Sequence, residues 1–153
     1  MYYTHALISE DHHLIRQTVR DFAERHIRPL ASKLDQEERF SVELTREMGK
    51  LGLFGMTIPK KYGGQAMDTL SYIIAVEELA RIDSSQAATL AAHNSLGVGP
   101  IYQFGTKEQR EKYLPGLCTG KQLWAFGLTE PEAGSDSRGT KTTARLKNGE
   151  WII

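Results

Sequence analysis

The sequence predicts a mainly α protein: a helical bundle over residues 1–120, then the first strands of an incomplete β domain over residues 121–153. Three observations carry this. Apolar residues recur at three- and four-residue spacing through most of the first 120 positions, in runs opened by capping residues. Beyond Gly120 that spacing gives way to strand-like composition and to Asn148-Gly149, a strong hairpin-turn dipeptide. At 153 residues and 40% hydrophobic, the chain is long enough to bury one sizeable core.

Ser9 is the expected N-cap of the first helix, with Glu10 and Asp11 favouring its positive end and Ile15, Val19, Phe22, Ile27, Leu30 and Leu34 as its apolar stripe. Pro29 should kink or split it. Ser41 opens a second helix striped by Leu44, Met48 and Leu51 and ended by Gly52. Residues 53–59, apolar but broken by Gly55 and Pro59, read as a buried link, and Gly63-Gly64 as a turn without phosphate-loop spacing. Asp68 caps a third helix through Leu70, Ile73, Ile74, Glu77, Leu79 and Ala80. After Asp83-Ser84-Ser85 the small residues 86–92 continue helical to about Leu96. Thr106 and Gln109 have capping-box spacing and open a short helix expected to stop near Pro115-Gly116. Residues 123–128 read as a strand, and residues 142–146 and 151–153 as a hairpin around Asn148-Gly149. That final apolar strand has no turn or cap behind it, so the chain reads as cut off inside its second domain.

Composition excludes several function classes. Nineteen Lys+Arg balance nineteen Asp+Glu, so no basic excess points to nucleic acid or an acidic membrane surface. No apolar run approaches the roughly 18–20 residues of a membrane span. Cys118 is the sole cysteine, which rules out an internal disulfide and zinc-ligand spacing and fits a reducing compartment. The start, Met1-Tyr2-Tyr3-Thr4-His5, resembles neither a signal nor a transit peptide, making a cytoplasmic location the expectation. His12-His13 reads as a surface pair and His93 as a helix-terminal histidine, so no metal site is predicted. Gly134-Ser135-Asp136 lacks the Gly-x-Ser-x-Gly elbow of serine hydrolases.

The stretch Phe126-Gly127-Leu128-Thr129-Glu130-Pro131-Glu132-Ala133-Gly134-Ser135 joins the expected strand to a loop rich in hydroxyls and carboxylates. Free backbone N–H groups and the Thr129 and Ser135 hydroxyls suit a planar heterocycle or a phosphate, and Gly134 permits close approach. Composition alone favours a turn-rich connection with an Asx-type Asp136.

Residues 127–139 match, at every fixed position, the signature small–aliphatic–Ser/Thr–Glu–two variable–small–Gly–Ser/Thr–Asp–two variable–small. On this motif the chain resembles the acyl-CoA dehydrogenase family. The resemblance continues through Leu51-Gly52-Leu53, Pro59-Lys60-Lys61-Tyr62-Gly63-Gly64, Glu77-Glu78-Leu79-Ala80-Arg81, His93-Asn94-Ser95-Leu96-Gly97 and Phe104-Gly105-Thr106-Lys107-Glu108-Gln109 with Lys112-Tyr113-Leu114-Pro115. Ala66 departs from it, where the family usually repeats a glycine.

The resemblance implies an FAD enzyme that oxidises acyl-CoA to trans-2-enoyl-CoA, using electron-transfer flavoprotein or a similar acceptor and working as a homo-oligomer. It implies that the stretch from Phe126 to Ser135 lines the flavin, with Leu128 and Thr129 at its pyrimidine side and Ser135 also touching acyl-CoA. The family's base lies in a C-terminal domain, so no catalytic residue is assigned here and the chain alone is expected to be inactive. Glu130 reads as a loop-ordering carboxylate rather than a replacement base. In the family, the helix at residues 86–92 borders the acyl pocket, so Ala91 or Ala92 is expected to face the tail; the bland alternative is tight helix–helix packing. From another class, the alternative function is a noncatalytic helical interaction module or remnant.

Overall fold

The computed structural model describes residues 8–153, and the start of the chain behind the location reading lies outside them. Seven α-helices form the body: α1 (Glu10–Phe22), α2 (Arg28–Gln36), α3 (Val42–Lys50), α4 (Thr69–Ala80), α5 (Ser84–Ala92), α6 (Gly99–Phe104) and α7 (Lys107–Cys118). Two three-residue strands, β1 (Arg145–Lys147) and β2 (Glu150–Ile152), come last as an antiparallel hairpin. The mainly α class with the start of a β portion is what the sequence predicts.

The caps form as their chemistry requires. Ser9 accepts from the His12 amide, Ser41 from Leu44, Asp68 from Ser71, and Thr106 with Gln109 closes a full capping box. Gly52, in the left-handed region at φ +80°, succeeds the last turn of α3. Residues 53–59 are the buried link expected: Leu53, Phe54, Met56 and Ile58 are all core.

Both long helical runs are broken in the same way. A π turn at Ala23–Ile27 precedes Arg28-Pro29, and a second at His93–Val98 precedes Gly99-Pro100. Proline cannot donate to the carbonyl four residues back and its ring crowds that carbonyl, and a wider turn relieves the clash. In the wider turns Arg28 N–H donates to Ala23 O, and Gly99 N–H to Asn94 O, each five residues back. Each proline then sits in the first turn of the next α segment, where its missing N–H costs nothing. Pro29 therefore splits its helix, as expected. The extra residue also rotates α2 relative to α1, so Leu30 drifts to the rim while Val19, Ala23, Ile27 and Leu34 face the core. The run from Ser84 does not end near Leu96 but continues through the second π turn and α6 to Phe104.

Other expectations need correction. The helix α7 runs through Pro115 to Cys118. Its buried Leu114, Leu117 and Cys118 form a second cluster with Ile58, Tyr62 and Val98. Burying each leucine is worth about 1.5–3 kcal/mol, enough together to offset the roughly 3 kcal/mol cost of an interior proline. Residues 123–128 form no strand, since no neighbouring strand takes up their backbone groups. Of the expected 142–146 strand only Arg145 and Leu146 pair, joined by Lys147, because the partner beyond the Asn148-Gly149 turn is itself three residues long. Leu51 and Ile73 are exposed rather than core. Ala66 adopts φ +54°, a conformation that disfavours a side chain and that the missing glycine would take without cost.

The surface reading fails at His12, and His93, which follows the last residue of α5 as a helix-terminal histidine, is buried as well. His12 is buried at 8% exposure: its Nδ1 accepts from the Ser9 amide at 3.0 Å, and its Nε2 lies 2.9 Å from the Asp68 carboxylate. His93 is buried at 2%, its ring edge-on to Phe54. Burial lowers its pKa and keeps it neutral, against the opposing effect of its bond to the Leu117 carbonyl. Among the described residues, no helix is long and apolar enough to cross a membrane, and no three His, Cys, Asp or Glu side chains group to hold a metal.

Where α1 and α4 run side by side, their first turns meet through His12 and Asp68, and further along Glu78 gathers Arg16, Arg20 and Arg81. The Ser71 amide, then the Ser71 hydroxyl and His12, hold the Asp68 carboxyl at about 2 instead of 3.8. A carboxyl depressed by folding contributes fully above its unfolded pKa and loses that contribution as pH falls through the folded value. Asp68→Ala is therefore expected to cost about 1 kcal/mol near neutral pH, the ordinary worth of an N-cap. In urea denaturation at pH 7, 4 and 2.5, the gap between variant and wild type should narrow only in the acid step. A gap constant across the series would show that the ionised carboxylate plays no part.

Candidate functional site

The predicted loop begins where α7 ends. Gly120, at φ +68°, turns the chain away from the helices, and Trp124 is held against them before the exposed Phe126. Pro131 and Glu132 form the tip of a tight turn in which Glu130 and Ala133 exchange two backbone hydrogen bonds of 3.1 Å. This pairing brings Thr129 and Gly134 side by side at the open end of the turn. Ala133 is the one member of the loop that is buried.

Glu130 closes the loop from the other side. Its carboxylate oxygens accept from the Lys141 amide at 2.7 Å and the Thr142 amide at 3.0 Å. Those bonds, Lys141 first, hold its pKa below the usual carboxylate range. Each oxygen thus accepts one bond from backbone eleven or twelve residues away, the loop-ordering role read from the sequence. The Lys141 ammonium pairs with Glu132 on the same side. Asp136 shapes the next turn through its main-chain carbonyl, which accepts from Gly139 N–H at 3.0 Å.

The rest of the loop faces outward. Phe126 and Leu128 are 54% and 43% exposed, and the Thr129 and Ser135 side chains are exposed as well. A Cβ at Gly127 or Gly134 would meet nothing within 4 Å, and neither glycine has positive φ. Neither backbone conformation nor packing within the chain thus requires glycine at these positions. Among the described residues, no backbone hydrogen bond outside helices and strands uses the N–H of Leu128 or Thr129. The donor set fits a planar heterocycle: apolar side chains for a ring face, and hydroxyl and amide donors for a polar edge. A cleft of about 670 Å³ elsewhere, lined by Arg46, Gly52, Gln65 and Lys121, contains no residue of this loop.

Ala88 and Ala92 on α5 and the π turn's Ser95 and Leu96 are exposed, while Ala87 and Leu90 make the buried contacts. Ala91 is half-buried, and its carbonyl accepts from the Tyr72 hydroxyl at 3.1 Å and the Ser95 hydroxyl at 2.7 Å. Sequence reasoning missed the part played by His93 and Trp124 at the root of the loop. A histidine at the end of an alanine-rich run was the available signal, and Trp124 was absorbed into the apolar strand reading.

Residues 9–121 match the family described as acyl-CoA dehydrogenase, N-terminal domain. The short-chain specific acyl-CoA dehydrogenase of Clostridium acetobutylicum is 43% identical over 146 residues, 95% of this chain and 38% of the relative. A solved acyl-CoA dehydrogenase complexed with FAD from Bacillus anthracis superposes with a TM-score of 0.87 at 42% identity, over 96% of this chain and 26% of that one. A structure from work on the electron transferring flavoprotein of Acidaminococcus fermentans and flavin-based electron bifurcation superposes at 0.90 and 42% identity, over 95% of this chain and 38% of that one. The chain thus spans 38% of the length of the curated relative. The helical body, the loop signature and these matches agree: the chain belongs to the acyl-CoA dehydrogenase family.

Proposed function

We propose that this chain forms the N-terminal helical part and the first flavin-contacting loop of an FAD-dependent acyl-CoA dehydrogenase that converts acyl-CoA to trans-2-enoyl-CoA. The observation that carries the reading is the loop itself: its signature residues Thr129, Gly134 and Ser135 sit on an ordered turn and face outward. The similarity to an FAD-complexed family member supports the cofactor. When bound, FAD supplies the hydride acceptor. In this reading Phe126, Gly127 and Leu128 offer the ring an apolar approach, and Thr129 donates at its polar edge. The turn Glu130-Pro131-Glu132-Ala133-Gly134 holds Ser135 where its hydroxyl reaches the acyl-CoA. The helical part ends near Gly120, and the β portion begins at residue 121.

An electron-transfer flavoprotein is the proposed acceptor, in keeping with the similarity to a structure from work on such a protein, and the whole enzyme is a homo-oligomer. The buried, unpaired Cys118 suits a reducing, cytoplasmic setting. Glu130 is engaged with two backbone amides that order the loop and lower its basicity, which favours a base elsewhere in the enzyme, and residues 1–153 alone are proposed to be catalytically silent. Loss of a general base by itself removes about 10²- to 10⁴-fold of rate. Supplied with FAD, an acyl-CoA and an artificial acceptor, the 153-residue polypeptide should show no turnover; a rate within the ordinary enzyme range of roughly 1–10³ s⁻¹ would place a base among these residues.

In the enzyme containing this chain, Thr129→Val removes a donor at nearly constant volume and is expected to weaken flavin retention or shift its potential. Ser135→Ala should act on the acyl-CoA side, raising KM. Wild-type flavin content, potential and kinetics in both variants would remove the loop assignment.

The exposed Ala88–Ala92 face is proposed to border the acyl tail, with Ala92 the more open of the two alanines expected to face it. Ala92→Leu should lower activity on long acyl-CoAs while sparing the shortest. If the position is a packing contact, overpacking costs about 1–3 kcal/mol and lowers all chain lengths alike.

A further inference from the structure

The signature loop is internally closed, so its place on the molecule depends on the few contacts that hold its root against the helices. Its hydrogen bonds run between Glu130 and Ala133 and from Glu130 to residues 141 and 142, all within the loop and its return. Among the described residues, the last hydrogen bond between the helical body and the chain beyond it is Trp124 N–H to His93 Nδ1, at 3.3 Å.

Trp124 is gripped at three points. Its N–H is held by His93, and its indole lies 5.0 Å from the Tyr113 ring at 49°. Its carbonyl passes so close to the second π turn that a Cβ on Gly97 would lie 2.7 Å from the oxygen. His93 is fixed in turn, with Nε2 3.0 Å from the Leu117 carbonyl near the end of α7. A carbonyl can only accept and an amide N–H can only donate, so the ring carries its proton on Nε2 and presents a bare Nδ1 to Trp124. Only Ala125 separates Trp124 from Phe126, a span of about 7 Å, too short to absorb a displacement at Trp124 before the loop begins.

We propose that His93 is a positioning residue: by bridging the Leu117 carbonyl to the Trp124 amide, it sets where the loop from Phe126 to Ser135 leaves the helical body. The flavin consequence rests on the function proposed above, whereas the positioning itself does not. His93 touches neither cofactor nor substrate in this role, and acts through the backbone of Trp124.

The test is a pair of substitutions in the 153-residue chain, read by ¹H–¹⁵N spectra and amide hydrogen exchange. His93→Gln keeps an acceptor for Trp124 and a donor for Leu117, whereas His93→Leu keeps neither. His93→Leu is expected to speed exchange at the Trp124 amide at least tenfold and to move the amides of Phe126, Leu128 and Thr129, leaving α1 and α4 unchanged. His93→Gln should restore both. If His93→Leu does not fold, Gly97→Ala displaces the Trp124 carbonyl while keeping the His93–Leu117 bond, and should move the same loop amides. Unmoved loop amides in the folded variant, or a shift spread evenly over all helices and not rescued by Gln, would overturn the proposal. In the holoenzyme, His93→Leu should shift the flavin potential and His93→Gln should not. Loop amides that move while the potential stays put would uphold the positioning role and count against the flavin reading alone.

Discussion

A proline sets the constraint on which much of this structure turns. Pro100 cannot accept an ordinary helical turn before it, and the widened turn at His93–Val98 carries two polar residues, His93 and Asn94, into the interior. Neither is wasted there. Asn94 donates to Leu53 O and Leu90 O, tying the buried link to α5, while His93 reaches Leu117 and Trp124. The first core, around Phe54, Met48 and Leu79, is joined at this turn to the second, around Val98 and Leu114. A neutral imidazole with one donor and one acceptor suits this junction, because a charged ring would be buried and would present a second donor to an amide.

The other half of the body is organised by charge. Glu78 is 2% exposed, and burial alone would raise its pKa. The bidentate Arg20 bond and the nearby Arg81 reverse that, so the carboxylate stays ionised. Arg16 and Arg20 come from α1, Arg81 from the end of α4, so the cluster joins the helices edge to edge while Val19, Ala75 and Leu79 pack behind it. A buried carboxylate with partners on both sides adds little net stability but strongly disfavours any slipped pairing of the two helices.

The loop after Trp124 obeys the opposite logic. The helical body buries one carboxylate, Glu78, among arginines, whereas the loop's Glu130 and Glu132 bond within the loop and its return and leave Phe126, Leu128 and the hydroxyls outside. Such an arrangement is internally hydrogen-bonded without being buried, which suits a surface that receives a ligand rather than one that fills a core.

The sequence by itself determined where most of the helices begin, their caps, the hairpin turn and the family, because capping, 3.6-residue spacing, an Asn-Gly pair and a long motif are local properties readable without neighbours. Glu130's ordering role was legible for the same reason, as part of a contiguous signature. The tertiary structure decided everything that depends on a partner distant in the chain. Residues 123–128 have the composition of a strand but no neighbouring strand to bond, and α7 passes Pro115 because the second core rewards Leu117 and Cys118. His12 leaves the surface for a carboxylate 56 residues away, and His93, at the end of α5, is buried against a carbonyl 24 residues away. Spacing along a chain records which face a side chain takes, but not what meets that face. For a histidine or an unpaired strand, the group it meets settles its protonation, its burial and its use.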